Sequence, residues 1–124
     1  MPNKGQEKTV TMMRLTIRID FGGARRLGPG KVALLEAVVE SGTISSAAKS
    51  LGMSYRRAWL LIEETNALFR EPVVETAHGG RLGGGARVTP FGLDVVARYR
   101  GIEASLAKAA RADVKFFERN VDLA

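Results

Sequence analysis

The chain has 124 residues, 45% hydrophobic and 6% aromatic, enough aliphatic side chain for the core of one ordinary domain. Its 19 Lys and Arg against 13 Asp and Glu leave a net charge of +6, which favours polyanionic partners, nucleic acid before acidic membrane surfaces. With no cysteine, and His78 as the only histidine, disulfides, thiolate metal sites and a zinc site of clustered histidines are excluded.

No run approaches the roughly 18 apolar residues of a membrane span, and MPNKGQEKTVTMM lacks the apolar stretch of a secretory signal. A cytoplasmic protein without membrane contact is expected. Residues 1–13 are polar and are expected to be a disordered tail. From Arg14 the pattern alternates, with Leu15, Ile17, Ile19 and Phe21 on one face and Arg14, Thr16, Arg18 and Asp20 on the other. That period of two predicts a half-buried N-terminal strand ended by Gly22-Gly23. Arg25-Arg26 and Leu27-Gly28-Pro29-Gly30 are expected to be a loop.

Lys31 to Ser41 puts Leu34, Leu35, Val38 and Val39 at helical spacing, and Gly42 is placed to cap its C-terminus. Thr43 to Asn66 then predicts two helices joined by a tight turn. Ser45 or Thr43 can cap the first; Ala47 and Ala48 allow close approach of a partner helix; Gly52 takes the turn with positive φ. Ser54 is the expected N-cap of a second helix to about Phe69, with Ala58, Leu61, Ile62, Thr65, Leu68 and Phe69 facing inward. Glu71-Pro72 is expected to stop it.

Short strands are predicted at 73–77 and 86–89, around a tip of His78 to Gly85 that holds five of the fourteen glycines. Two strands with a long glycine tip directly after a helix-turn-helix have the layout of a wing. Thr89-Pro90 suits an N-cap and first-turn proline. The helix it opens carries Phe91, Val95, Tyr99, Ile102, Leu106, Ala110, Val114, Phe117 and Val121 three or four residues apart. It can run to Glu118 or beyond, unless it breaks near Gly101 or Lys108. At about 1.5 Å per residue it outreaches so small a domain, so its apolar stripe calls for a second copy. Leu15, Ile17, Val95, Tyr99, Ile102, Leu106 and Phe117 are the expected dimer contacts.

Arg56 and Arg57 are the residues in which chemistry concentrates. Cations in a first turn oppose the helix dipole, so a structural role is poorly served there, whereas one can read guanine O6 and N7 while the other clamps a phosphate. Tyr55 either reaches a base edge or the backbone, or packs over the turn. Trp59 is read as core. The glycine tip lacks the Lys-Ser/Thr of a phosphate-binding loop and the βαβ setting of a dinucleotide fingerprint. A wing lying along the DNA backbone fits Gly79, Gly80, Gly83, Arg81 and Arg87; a merely flexible hairpin is the plainer alternative. His78 is read as a strand-end or phosphate contact. Glu63 and Glu64, adjacent on a helix, diverge by about 100° and cannot act as an acid–base couple; they are read as restraining indiscriminate DNA contact. No catalytic constellation or cofactor motif is evident, and no enzyme activity is expected.

Four segments resemble one family: Gly28-Pro29-Gly30-Lys31, Ser41-Gly42-Thr43-Ile44-Ser45, Met53-Ser54-Tyr55-Arg56-Arg57-Ala58-Trp59, and Gly79-Gly80-Arg81-Leu82-Gly83-Gly84-Gly85-Ala86, followed by Val88-Thr89-x-x-Gly92. In this order they are similar to the N-terminal DNA-binding domain of the molybdate-responsive regulators, the ModE family, over about Leu15 to Tyr99. LysR-type regulators share the helix-turn-helix and the Thr-x-x-Gly opening. They usually have a different recognition-helix front and no triple glycine.

The resemblance implies a mainly α fold with a small β wing: a winged helix-turn-helix over 14–89, an N-terminal strand, and a long dimerisation helix over 90–124. It implies double-stranded DNA as partner, contacted by Ser54, Tyr55, Arg56 and Arg57 and by Gly79, Gly80, Arg81 and Gly83 of the wing; Ser45 and Arg87 complete the expected DNA-facing set. In full-length family members a pair of small β-barrels follows and binds molybdate. No such module is present in these residues, so molybdate is not expected to bind this chain. The expectation is therefore a homodimeric, sequence-specific transcription regulator reading a pseudo-palindrome, its recognition helices about 34 Å apart. An architectural, weakly specific DNA-binding protein and a winged-helix protein-interaction module are the alternatives.

Overall fold

The computed structural model describes residues 13–77 and 85–122. Within these the chain divides into Ile17–Tyr99 and a second unit made of residues 13–16 with 100–122. The elements in order are β1 (Ile19–Gly22), β2 (Arg25–Leu27), α1 (Pro29–Ser41), α2 (Ile44–Ser50), α3 (Tyr55–Asn66), β3 (Val74–Thr76), β4 (Ala86–Val88), α4 (Pro90–Ala109) and α5 (Arg111–Asn120). The fold is mainly α with a small β wing, as the sequence predicts, and a second antiparallel hairpin, β1–β2, which the sequence reading does not place.

The N-terminal strand is shorter than its alternation implies, and it has a partner inside the chain. Ile19 pairs with Leu27, Asp20 with Arg26 and Gly22 with Arg25, with an irregularity between Asp20 and Gly22. Gly22 and Gly23 have φ of 106° and 60°, so the glycines that end the strand also fold the chain straight back. The stretch expected as a loop at Arg25–Leu27 is thus β2. Its Leu27 is buried with Val32 and Tyr99 in a small cluster, packed by Ile17, Ile19, Leu68, Phe69, Val95 and Val96.

The larger core is built by α1, α2, α3 and the β3–β4 hairpin. Leu34, Leu35 and Val38 of α1 meet Ile44, Ala47 and Ala48 of α2, Ala58 and Ile62 of α3, and Val73, Val74, Ala86 and Val88 around the hairpin. Each helix boundary follows local chemistry. Gly42 (φ 80°) closes α1, its N–H donating to Val38 O at 2.8 Å. Thr43, rather than Ser45, caps α2 by accepting from Ser46 N at 3.0 Å, and Ser45 is exposed. Gly52 takes the turn at φ 70°, and Ser54 Oγ accepts from Arg57 N at 3.1 Å. Such caps are worth about 1 kcal/mol each.

The α3 helix ends at Asn66, before the Glu71-Pro72 stop, because the Asn66 side chain turns to the wing. Its Oδ1 accepts from Val73 N (2.7 Å) and Val74 N (3.1 Å), and its Nδ2 donates to Val74 O (3.1 Å). In the hairpin Val74 faces Val88, Glu75 faces Arg87 and Thr76 faces Ala86. Thr89 then opens α4: its Oγ1 accepts from Gly92 N at 2.9 Å and donates to Pro72 O at 2.7 Å. A Cβ on Gly92 would overlap the Val73 carbonyl and lie 2.7 Å from Val88 Cγ1, so the Thr-x-x-Gly opening is a packing requirement as well as a cap.

In the second unit α4 continues through Gly101 and gives way at Ala110 (φ −97°, ψ 11°). The break falls two residues past Lys108, one of the two places the sequence allowed. No residue of α5 is buried. Leu15, Ile102, Leu106, Phe116, Phe117 and Val121 are all exposed, Phe117 at 59%. A groove of about 680 Å³ is lined by Met13, Leu15, Ala104, Ala107 and Val114, with charged residues among them. No helix among the described residues is long and apolar enough to cross a membrane.

Candidate nucleic-acid interface

The α3 helix divides sharply between two faces. Ala58, Ile62 and Thr65 are buried, with Thr65 Oγ1 donating to Leu61 O at 2.6 Å so that no hydroxyl is orphaned. Trp59 and Leu61 are half-buried and pack against the core. Ser54, Tyr55, Arg56 and Arg57 are exposed, Tyr55 at 58%. At about 100° per residue, Arg56, Leu60, Glu63 and Ala67 fall on one line opposite the core. Neither Arg56 nor Arg57 is ion-paired with a carboxylate of the described residues. Two arginines thus stand at the solvent end of a helix held rigidly from behind, a geometry suited to base edges and phosphates.

The wing contributes what lies at its root. Arg87 is exposed, but its Nη2 is 2.8 Å from Glu75 Oε1 on the facing strand. Ala77 N donates to Gly85 O, and Ala86 N to Gly42 O, both at 2.9 Å. A Cβ on Gly85 would sit 3.2 Å from that same Gly42 carbonyl. The wing root is therefore pinned to the α1–α2 turn, on the chain segment that leads into the helix-turn-helix. His78, Gly79, Gly80, Arg81 and Gly83 lie outside the described residues. Among the described residues no group of three or more His, Cys, Asp or Glu is placed to hold a metal ion.

No family model matches the chain. It is 46% identical over 93 residues to the molybdenum-pterin-binding protein MopA of Rhodobacter capsulatus, covering 75% of this chain and 35% of that protein. It is 39% identical over 98 residues to the molybdenum transport protein ModE of Azotobacter vinelandii, covering 79% and 36%. The DNA-binding transcriptional dual regulator ModE of Escherichia coli (strain K12) is 42% identical over 71 residues, 57% of this chain and 27% of the regulator. Over these residues the chain is a homologue of ModE and Mop proteins. It spans about a third of the length of the curated relatives it matches.

Two residues that position the ModE-like helix are not among those the sequence singles out by pattern. Lys31, its side chain only 11% exposed, donates to Arg26 O at 2.8 Å and sits 3.4 Å from Glu64 Oε1. It ties β2 to the last turn of α3, so Glu64 has a structural partner besides any role in restraining DNA contact. Asn66 is the second, fastening the end of α3 to β3. Neither leaves a local signal; only the Gly-Pro-Gly-Lys segment of the resemblance points at Lys31.

The expected pairing residues separate into three kinds. Leu15, Ile102, Leu106 and Phe117 are exposed. Ile17 and Val95 are half-buried against the cores of Ile17–Tyr99. Tyr99 is a correction: it is 1% exposed, and its hydroxyl donates to Ile17 O at 2.6 Å. Its ring is consumed within Ile17–Tyr99, because satisfying a buried phenol beside Leu27 and Val32 leaves it no face to offer a partner.

Proposed function

We propose that this chain is a sequence-specific, DNA-binding transcription regulator that acts as a homodimer. Arg56 and Arg57 at the exposed tip of α3 carry the proposal, because a well-packed helix holds them with no carboxylate of the described residues to neutralise them. In this reading α3 enters the major groove, one arginine reads a guanine edge, and the other holds a phosphate with Ser54 and Tyr55. Ser45, Arg87 and the wing tip at Gly79, Gly80, Arg81 and Gly83 lie along the sugar-phosphate backbone. The exposed Leu15, Ile102, Leu106 and Phe117 are the surface given to a second copy, so that two recognition helices address a pseudo-palindrome.

The relatives' names support both halves of a molybdenum-linked regulator: one is called a DNA-binding transcriptional regulator, another a molybdenum-pterin-binding protein. The proposal assigns the DNA part to this chain and no molybdate contact to its described residues. Neither name describes an enzyme, and no catalytic step is proposed.

The test is selection of preferred duplexes from a random library, then titration of wild type and Arg56→Gln/Arg57→Gln. Wild type should prefer its selected site over random duplex by at least about a thousandfold at moderate salt, and the double variant should lose that preference. Equal affinity for both duplexes would favour the architectural alternative; no duplex affinity would sink the proposal. Genomic footprints taken with and without molybdate show whether the oxyanion acts on this chain.

A further inference from the structure

The exposed line of α3 holds one residue to which the DNA reading of Arg56 and Arg57 gives no role. Leu60 is 44% exposed and lies one turn beyond Arg56 on the same side of the helix, with Glu63 next along. It is not a core residue that strays. Ala58, Ile62 and Thr65 fill the opposite face, and no rotation of α3 about its axis covers Leu60 without expelling them. One exposed leucine on a protein surface is ordinary. Here, though, it interrupts a face whose other large side chains are Arg56, Arg57, Glu63 and Glu64, at its centre. Among the base edges of the major groove the apolar feature is the C5-methyl group of thymine.

We infer that Leu60 is a specificity-determining residue that packs against a thymine methyl in the major groove, beside the base edge read by Arg56. The inference rests on the DNA reading of α3 proposed above. Four residues of helix advance about 6 Å, close to two base-pair steps of about 3.4 Å. The thymine therefore lies within about two base pairs of the guanine that Arg56 contacts. Arg56 supplies a charge-assisted, directional contact; Leu60 adds a dry one that no cytosine, lacking the methyl, can return.

The experiment replaces each thymine of the selected duplex singly by deoxyuridine, which removes only the methyl. Wild type should lose about fourfold in affinity at one thymine per half-site, the value of one buried carbon. Leu60→Ala, which alters both half-sites, should lose about that factor at each, roughly sixteenfold on the thymine duplex, and be indifferent to deoxyuridine at that position. Its thermal midpoint should not move, since the residue belongs to neither core cluster. The inference is overturned if wild type treats thymine and deoxyuridine alike throughout, or if Leu60→Ala keeps the discrimination. A preferred site without methyl dependence removes Leu60 alone; a library that yields no preferred site removes the DNA reading and Leu60 with it.

Discussion

Two stretches of this chain repeat apolar residues at the same helical spacing and use them in opposite ways. In α1, Leu34, Leu35 and Val38 are buried against α2, α3 and the wing strands, all within Ile17–Tyr99. From Arg100 onward, Ile102, Leu106, Phe117 and Val121 keep the same period and remain exposed. A stripe three or four residues apart states that a helix wants a partner, not where the partner is. In the first stretch the chain supplies it through a tight glycine turn and two small alanines. In the second the described residues leave the stripe exposed, the surface the proposal gives to a second copy, and a helix with no buried residue owes little of its stability to its own fold.

The sharpest way to break this contrast is to truncate one side chain in each stretch. Leu34→Ala opens a cavity in the larger core, where Leu34 is 1% exposed, and should cost about 3 kcal/mol, independent of protein concentration. Phe117→Ala should cost under about 0.5 kcal/mol at high dilution, with a growing deficit as concentration rises and wild type pairs. Urea unfolding at two protein concentrations a hundredfold apart measures both. Equal, concentration-independent losses would mean that Phe117 is buried after all and the contrast is false.

Asn66→Ala comes next. It strands the amides of Val73 and Val74 at the junction between α3 and β3, where one side chain satisfies both. An expected loss of about 2 kcal/mol follows from leaving partly buried donors unpaired. Hydrogen exchange at those two amides should accelerate well before α1 is affected, because the hairpin opens locally. Uniform acceleration across the unit would show instead that Asn66 stabilises the whole core.

The same contrast explains what is legible in the sequence. Gly42, Gly52, Ser54 and Thr89-Pro90 declare helix ends because capping is settled within a few residues, and each sits where the sequence places it. The β2 strand is hidden because Gly22-Gly23 can end a strand or turn a hairpin, and only Phe21 against Phe69, 6.1 Å away, and Arg25 against Leu68 O favour the turn. Tyr99 misleads because periodicity carries no information on depth. Lys31 and Asn66 are invisible because their partners are settled by tertiary contact. Leu60 is within reach of sequence reasoning: the wheel that puts Ala58 and Ile62 inward puts it outward.

Ser54→Ala tests the boundary of the packed stretch rather than its centre. Losing the hydroxyl that accepts from Arg57 N should cost about 1 kcal/mol. Affinity for the selected duplex should fall by more than that stability loss explains, since the first turn of α3 frays where Arg56 and Arg57 must be held. A variant that is destabilised yet binds with unchanged affinity would show that the tip reorders at no cost on binding.

The smallest effect is expected where an exposed cation already has a partner. Arg87 and Glu75 face each other across β3 and β4 at 2.8 Å, with side chains 68% and 52% exposed, so their attraction is heavily screened and worth under about 0.5 kcal/mol to the fold. A phosphate that takes Arg87 must first displace Glu75. Glu75→Gln should therefore leave the melting temperature nearly unchanged and raise affinity for selected and random duplex alike, by about twofold at low salt. The ratio between the two duplexes should stay constant, because a backbone contact positions without reading sequence. Arg87→Gln should lower both affinities and cancel any effect of Glu75→Gln in the double variant. If Glu75→Gln instead changes the ratio, Arg87 reaches a base edge, and the wing shares in reading the sequence with α3.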